Sequence, residues 1–390
     1  MPSRDLFEDL QVDLSLAGQL GFNPFYPRIE ARSNGKVLLG GRWYIDFASN
    51  DYLGLATDRA LCTVYADSID RFGVSLCGTP VAAGGNETVM RMEERFAAFI
   101  GCESVLAFPS CYQANTSLFQ AILTKDDRVL VDHFAHASLI EGIRASGCRL
   151  MPFVHNDCSH LEKLLMKKGP FRRSVVVTES VFSTEGSIAP FDRINELCRE
   201  YEALAVVDDS HGVGVIGRNG AGILSHYGIG GFDGIYTASL GKALANNGGI
   251  IAAGSNIISA LRYRSSGLMY STGLPPAAAA GVLWALDRLT SGFASLRARL
   301  DENRAALSAA IEKTGLRTTD SATPLIAVQC GTMRETILFA KKLYDNGIVA
   351  TPFVEPSVAP NRGVVRIIPG AGVPLDDCRK AAFIIETFRS

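Results

Sequence analysis

Lys242 stands in TASLGKALANNGG (237–249), between a short apolar run and a glycine-rich return. A lysine whose proton affinity is lowered by burial and nearby charge becomes a nucleophile that condenses with aldehydes. Upstream, LAVVDDSHG (204–212) delivers Asp208, Asp209 and His211 together at the end of an apolar run. A carboxylate there can hold a protonated ring nitrogen, and a histidine three residues on can reach the same ligand. Carboxylates capping a helix would leave the same pattern. Ser239 and Gly241, beside the lysine, either bind a phosphate or shape the turn.

Three further groups have the right residue types. Pro109-Ser110-Cys111-Tyr112-Gln113-Ala114-Asn115 reads as a turn opening a helix, whose free N–H groups could hold an anion or simply be capped. His133 and His136 follow RVLVD, and His136 opens HASLIEGIRASG. Two histidines three apart without further ligands make a poor metal site, so a ring stacked on a cofactor or a plain helix start fits better. His155 and His160 in HNDCSHLEKL read as helix-capping and surface residues.

The elements that must place these residues alternate along the chain. SVLAF (104–108), RVLVD (128–132), RLMPFV (149–154), SVVVTES (174–180), LAVVDDS (204–210), GIYTAS (234–239) and GGIIAAG (248–254) read as strands, with helix-length amphipathic segments between most of them. That alternation predicts an α/β fold with a mostly parallel sheet covered by helices on both faces. Ligands in such sheets bind at the carboxyl ends of the strands, where the candidates sit. Residues 1–48 contain Asn-Pro and Tyr-Pro breaks and a turn at Asn34-Gly35, and are expected to be an N-terminal arm with a short hairpin. Residues 49–285 form the expected large domain, and 286–390 a smaller C-terminal α/β domain. After Pro276 an Ala-rich helix and a separate charged helix over 293–314 are expected, followed by TPLIAVQC, GIVATPFV and GVVRIIP alternating with two more helices.

At 390 residues, the chain has room for a full core and more than one domain. Its net charge of −2, from intermixed basic and acidic residues, argues against nucleic acid or an anionic membrane as partner. Nine cysteines without CxxC spacing fit a reducing cytoplasm, and the acidic start MPSRDLFEDLQVDLSLAG lacks the pattern of a secretion signal. No membrane span and no metal site are expected.

Order and combination resolve these signals. SNDYLGLA (49–56), MEERFAAFIG (92–101), HASLIEG (136–142), HND (155–157), TESVFSTEGSIAPF (178–191), DDSHGVGVIGRNGAG (208–222), TASLGKALANNGG and STGLPP (271–276) together resemble the α-oxoamine synthases among the fold-type I pyridoxal-phosphate enzymes. The resemblance spans nearly the whole chain. It implies the cofactor pyridoxal 5'-phosphate and the joining of an amino acid to an acyl-CoA or carrier-protein thioester. Thiol is lost, usually with carbon dioxide, to give an α-aminoketone.

Residue by residue, the resemblance implies that Lys242 is the Schiff-base lysine and moves the Cα proton. Asp208 would pair the pyridine nitrogen, and His136 would stack on the ring. His211 and Ser183 would reach the ring oxygen or nearby substrate, and Glu179 would lie beneath the cofactor. Cys111, Tyr112, Ser239 and Thr272 would contact the phosphate, Thr272 from across a homodimer interface. Arg366 would bind the amino acid's carboxylate, with Arg362 as competitor. Asn50 and Tyr52 would lie on the substrate side, and Arg28 near the acyl group.

Four departures from the family pattern are expected to line or support the acyl side. They are Ser75–Pro80 in place of a glycine-rich stretch with an arginine, Val89 for a histidine, Cys111 for a glycine, and Val373 for a histidine. HFAHASLIEG, HNDCSHL and NRGVVRIIP resemble the aminoketone autoinducer synthases. DDSHGVGVIGRNGAG is shared with the 8-amino-7-oxononanoate synthases of biotin biosynthesis. The branch stays open here, with 2-amino-3-ketobutyrate ligase-like activity and a non-catalytic partner subunit as alternatives.

Overall fold

The computed structural model describes residues 15–388; the acidic start read above, up to residue 14, lies outside them. Ala31–Ser33 (β1), Lys36–Leu39 (β2) and Arg42–Asp46 (β3) form the hairpin and its continuation. Ser104–Phe108 (β4), Arg128–Asp132 (β5), Arg149–Phe153 (β6), Ser174–Glu179 (β7), Leu204–Asp208 (β8), Ile235–Ser239 (β9) and Gly249–Ala253 (β10) are the predicted strands. Ile326–Gly331 (β11), Ile348–Val349 (β12), Thr351–Phe353 (β13) and Gly363–Ile367 (β14) complete the set.

β4 to β10 make one seven-stranded sheet in the order β4-β10-β9-β8-β7-β5-β6. β10 runs antiparallel to both β4 and β9, and the other pairs are parallel. Side chains alternate between the faces, as the pleat requires. Val105, Ala107, Val176 and Val207 enter one core, whereas Leu106, Phe108, Val175, Val177 and Val206 enter the other. Both faces are thus buried, which is why these strands read as near-continuous apolar runs.

Helices fill the crossovers, and their ends are written in the sequence. In Glu87–Ile100 the Asn86 side chain accepts from Thr88 N, and Gly101 closes the end in a left-handed conformation. Met92, Phe96 and Ile100 form its buried stripe. After Pro276 there is one helix, Pro276–Thr314, where two were expected. Gly292 fails to break it because an interior glycine costs only about 1 kcal/mol. The buried stripe Leu286, Leu289, Leu296, Leu300 runs straight past it.

That helix links two cores, the Val105 face of the large sheet, which takes its Ala285 and Leu300, and a second one outside that sheet, which takes its Leu307 and Ile311. The second core also takes Ile45 and Phe47, so the N-terminal hairpin is not isolated: β3 pairs in parallel with β12 in the sheet β1-β2-β3-β12. β11, β14 and β13 form a separate antiparallel sheet that holds Arg366 on its middle strand. Among the described residues no helix is long and apolar enough to cross a membrane.

Candidate active site

The parallel run of β4, β5, β7, β8 and β9 brings their carboxyl ends to one edge, joined there by the start of β10. Asp208 ends β8, Glu179 ends β7 and Ser239 ends β9, and the turn from β9 to β10 presents a half-buried Lys242. Where β4 ends, Ser110 caps helix Cys111–Ile122 by accepting from Gln113 N, leaving the first amides of the helix directed into the same space. Gly249 makes this meeting possible: a Cβ there would lie 2.3 Å from Cys111 Cα.

Asp208 is buried and held on two sides. Asn115 Nδ2 donates to its Oδ2 at 2.8 Å and Ser210 N to its Oδ1 at 3.0 Å. Its neighbour Asp209 faces away and anchors the following loop, accepting from Tyr236 Oη at 2.8 Å and Ile223 N at 3.0 Å. Burial lifts the Asp209 carboxyl to about 7. Gly222, at φ +79, passes so close that a Cβ would meet Asp209 Oδ2 at 1.7 Å.

Around Lys242 the charges are mixed. Burial lowers its pKa, while Asp208, Cys111 and Glu179 act in the opposite direction. Glu179 is raised well above the carboxylate range by burial and by Asp208, and its Oε1 is buried without a partner. Asn50 Oδ1 and Arg366 Nε are likewise buried and unpartnered. Arg366 lies over the Phe353 ring at 4.8 Å and donates from Nη1 to Ser183 O at 2.7 Å. Orphaned buried polar atoms are costly, so those of Glu179 and Arg366, both close enough to the half-buried Lys242 to act on its charge, fit a polar ligand that completes them. The set matches pyridoxal phosphate in chemistry: an amine for its aldehyde, a carboxylate for its ring nitrogen, and helix amides for its phosphate.

The other predicted residues divide. His136 opens its helix, its Nδ1 2.8 Å from Ser138 Oγ and its ring edge-on to Tyr112 at 6.5 Å. His211 is buried beside Tyr52, whose hydroxyl is 2.8 Å from its Nδ1. Ser239 N donates to Ser210 Oγ, and Cys111 Sγ lies 3.4 Å from that same oxygen. Cys111 thus sits beside Ser210 and Ser239 at the carboxyl-end edge of the sheet. Tyr112 is exposed and its hydroxyl donates to Glu141, while Thr272 and Arg28 are exposed within this chain. Arg362 is exposed as well, unlike the buried Arg366.

Sequence reasoning passed over Asn115 and His155. His155 is not a surface cap: its Nδ1 is 3.0 Å from Asp132 Oδ1, its Nε2 is 3.2 Å from Glu185 Oε1, and its ring stacks on Phe134 at 4.4 Å. Asp157 caps the helix instead. The signal available for His155 was Asp132, a carboxylate ending the neighbouring strand.

Comparison with known proteins agrees with this geometry. The family model described as aminotransferase class I and II matches residues 43–385. The 8-amino-7-oxononanoate synthase 1 of Bacillus subtilis (strain 168) is 32% identical over 380 residues, covering 97% of each chain. A solved serine palmitoyltransferase from S. paucimobilis superposes with a TM-score of 0.93 at 22% identity over 98% of both chains. The 8-amino-7-oxononanoate synthase of Francisella tularensis superposes with a TM-score of 0.76 at 26% identity, over 88% of this chain and 97% of that one.

Proposed function

The chain belongs to the class I and II aminotransferase family, within its α-oxoamine synthases, and we propose that it condenses an amino acid with an acyl thioester in the manner of 8-amino-7-oxononanoate synthase. It is a pyridoxal-phosphate-dependent acyltransferase of fold type I. When bound, pyridoxal phosphate supplies an aldehyde that takes up amines reversibly and a ring that draws electrons from Cα. The observation that carries the reading is the meeting of Lys242 and Asp208, at the carboxyl-end edge of the large sheet, with Arg366 from the smaller antiparallel sheet, close enough for both to act on the Lys242 charge.

With pyridoxal phosphate bound, Lys242 Nζ would hold it through its aldehyde and, once a substrate amine has taken that place, would accept the Cα proton. Asp208, fixed by Asn115 and Ser210 N, keeps the ring nitrogen protonated. His136 would lie against the ring, and the amides of Cys111 and Tyr112 with Ser239 would hold the phosphate. Arg366 binds the substrate carboxylate through the atoms that Ser183 O leaves free. The nucleophilic Cα attacks the thioester carbonyl, a C–C bond forms, the C–S bond breaks and the thiolate leaves; loss of the carboxylate as carbon dioxide then leaves Cα to take a proton back from Lys242 Nζ.

We assign the acyl side to the departures at Leu76, Pro80 and Val89, which together line a cavity of about 320 Å³ with Gly273 and Leu274. Thr272, exposed next to that cavity, suits a phosphate contact made across a homodimer, and Arg28 an acyl contact. Nine free cysteines suit a reducing cytoplasm.

The test is the absorbance spectrum before and after adding glycine, alanine or serine, followed by thiol release from acyl-CoA thioesters of graded length. A band that responds to one amino acid, with thiol released over a limited chain-length range, is expected. A colourless protein unaltered by added pyridoxal phosphate would refute the assignment. Preference for long acyl chains would move it to the autoinducer synthase branch.

A further inference from the structure

Tyr52 was expected on the substrate side, yet it is 1% exposed and its hydroxyl meets His211 Nδ1 at 2.8 Å. Either group could be the donor by distance alone. If Nδ1–H donated, the phenolic proton would need a second acceptor. Among the described residues Tyr52 Oη has no other hydrogen-bond partner. The nearby charge, Arg366, carries only donors. That arrangement would bury an orphaned O–H, whereas donation from Tyr52 satisfies both Tyr52 Oη–H and His211 Nδ1 and leaves only Nε2–H for a ligand.

We propose that Tyr52 is a positioning residue that donates to His211 Nδ1 and so locks the imidazole as the Nε2–H tautomer, presenting a fixed N–H donor to whatever occupies the site beside Lys242. Surrounding charge agrees with a neutral ring: burial and the cations Lys242 and Arg366 hold His211 well below its usual pKa. A neutral imidazole has one proton, so the partner of one nitrogen decides what the other offers. The phenol stays protonated, its pKa pushed up to about 12 by burial. Nε2 has no protein partner among the described residues and is free for cofactor or substrate.

This rests on the proposed function only for what binds at Nε2; the tautomer itself is measurable without turnover. In 15N-histidine-labelled holoenzyme, with the six histidines separated by a His211→Gln control, His211 is expected to show Nε2 protonated and Nδ1 bare. Tyr52→Phe, which keeps the packing volume, should give a mixture of tautomers and lower kcat by about tenfold at unchanged amino-acid KM. A native ring protonated at Nδ1 overturns the proposal, even if the variant fails to fold. So does a Tyr52→Phe ring with native shifts, or a raised KM at native kcat, which would return Tyr52 to substrate contact. The amino-acid-induced absorbance change of the native enzyme tests the proposed function separately.

Discussion

Asn115 Nδ2 lies 2.8 Å from Asp208 Oδ2 and 3.0 Å from Ser138 Oγ, so one buried amide on helix Cys111–Ile122 ties the end of β8 to the helix that His136 opens. Under the proposed function the same helix would offer its N-terminus to the phosphate, so that one rigid element would set the contacts to ring nitrogen, ring face and phosphate, which is what a fixed cofactor pose needs.

Asn115→Ala should loosen the cofactor without unfolding the protein. The lost bond is made to an ionised group, worth about 1.5–3 kcal/mol, and Asp208 would keep only Ser210 N of its two donors. Pyridoxal-phosphate affinity, titrated by absorbance, is expected to fall tenfold or more. An unchanged affinity would mean that Asp208 needs no second donor to hold its position.

Lys242→Ala should abolish turnover while leaving the fold and the phosphate cup intact, because Lys242 ends in the site and is not part of either core. Borohydride reduction followed by mass spectrometry should attach the cofactor to Lys242 in the native chain and to no residue in the variant. Full activity in Lys242→Ala would end the assignment.

Arg366→Ala should raise the amino-acid KM about ten- to a hundredfold, as expected for loss of a buried charge-assisted pair. Arg362→Ala should leave KM near native, since Arg362 is exposed and Arg366 is not. Arg366→Lys should not rescue, because one ammonium cannot serve both Ser183 O and a carboxylate in the fork geometry of a guanidinium. The opposite ranking of the two alanine variants would exchange their roles.

Much of this site was legible in the sequence because strand ends in a parallel sheet are where chemistry collects. The runs ending at Glu179, Asp208 and Ser239 were unmistakable once their β-branched residues were read as strands. What escaped were pairings made in space. Tyr52 and His211 are 159 residues apart, and no local pattern separates a tyrosine that touches substrate from one that orients a histidine. Asn115 looked like any helical amide, since its importance comes from a strand that pairs far along the chain. The two helices expected after Pro276 are one because the apolar stripe Leu286, Leu289, Leu296, Leu300 packs against the same core on both sides of Gly292. His155 looked like a cap because its two carboxylate partners come from the end of β5 and from the segment after β7.

His155 leads to a pH prediction. Burial by itself would lower its pKa, but hydrogen bonds to Asp132 and Glu185 outweigh that and lift it to about 9. A raised folded-state pKa means that the charged imidazolium stabilises the fold fully below the unfolded value, near 6.5, and that this contribution is lost as pH rises through about 9. Melting temperature measured from pH 6 to 10 should thus fall more steeply above neutrality in the native protein than in His155→Gln, which should start lower and lack that limb. The buried Asp209, at about 7, adds a decline of the same sign to both proteins, so the difference between them isolates His155. The loop that Glu185 anchors also carries Ser183, whose carbonyl holds Arg366. The amino-acid KM should therefore rise over the same alkaline window in the native enzyme and already be raised at neutral pH in His155→Gln. Parallel melting curves for the two proteins would show that the imidazolium contributes nothing to holding that loop.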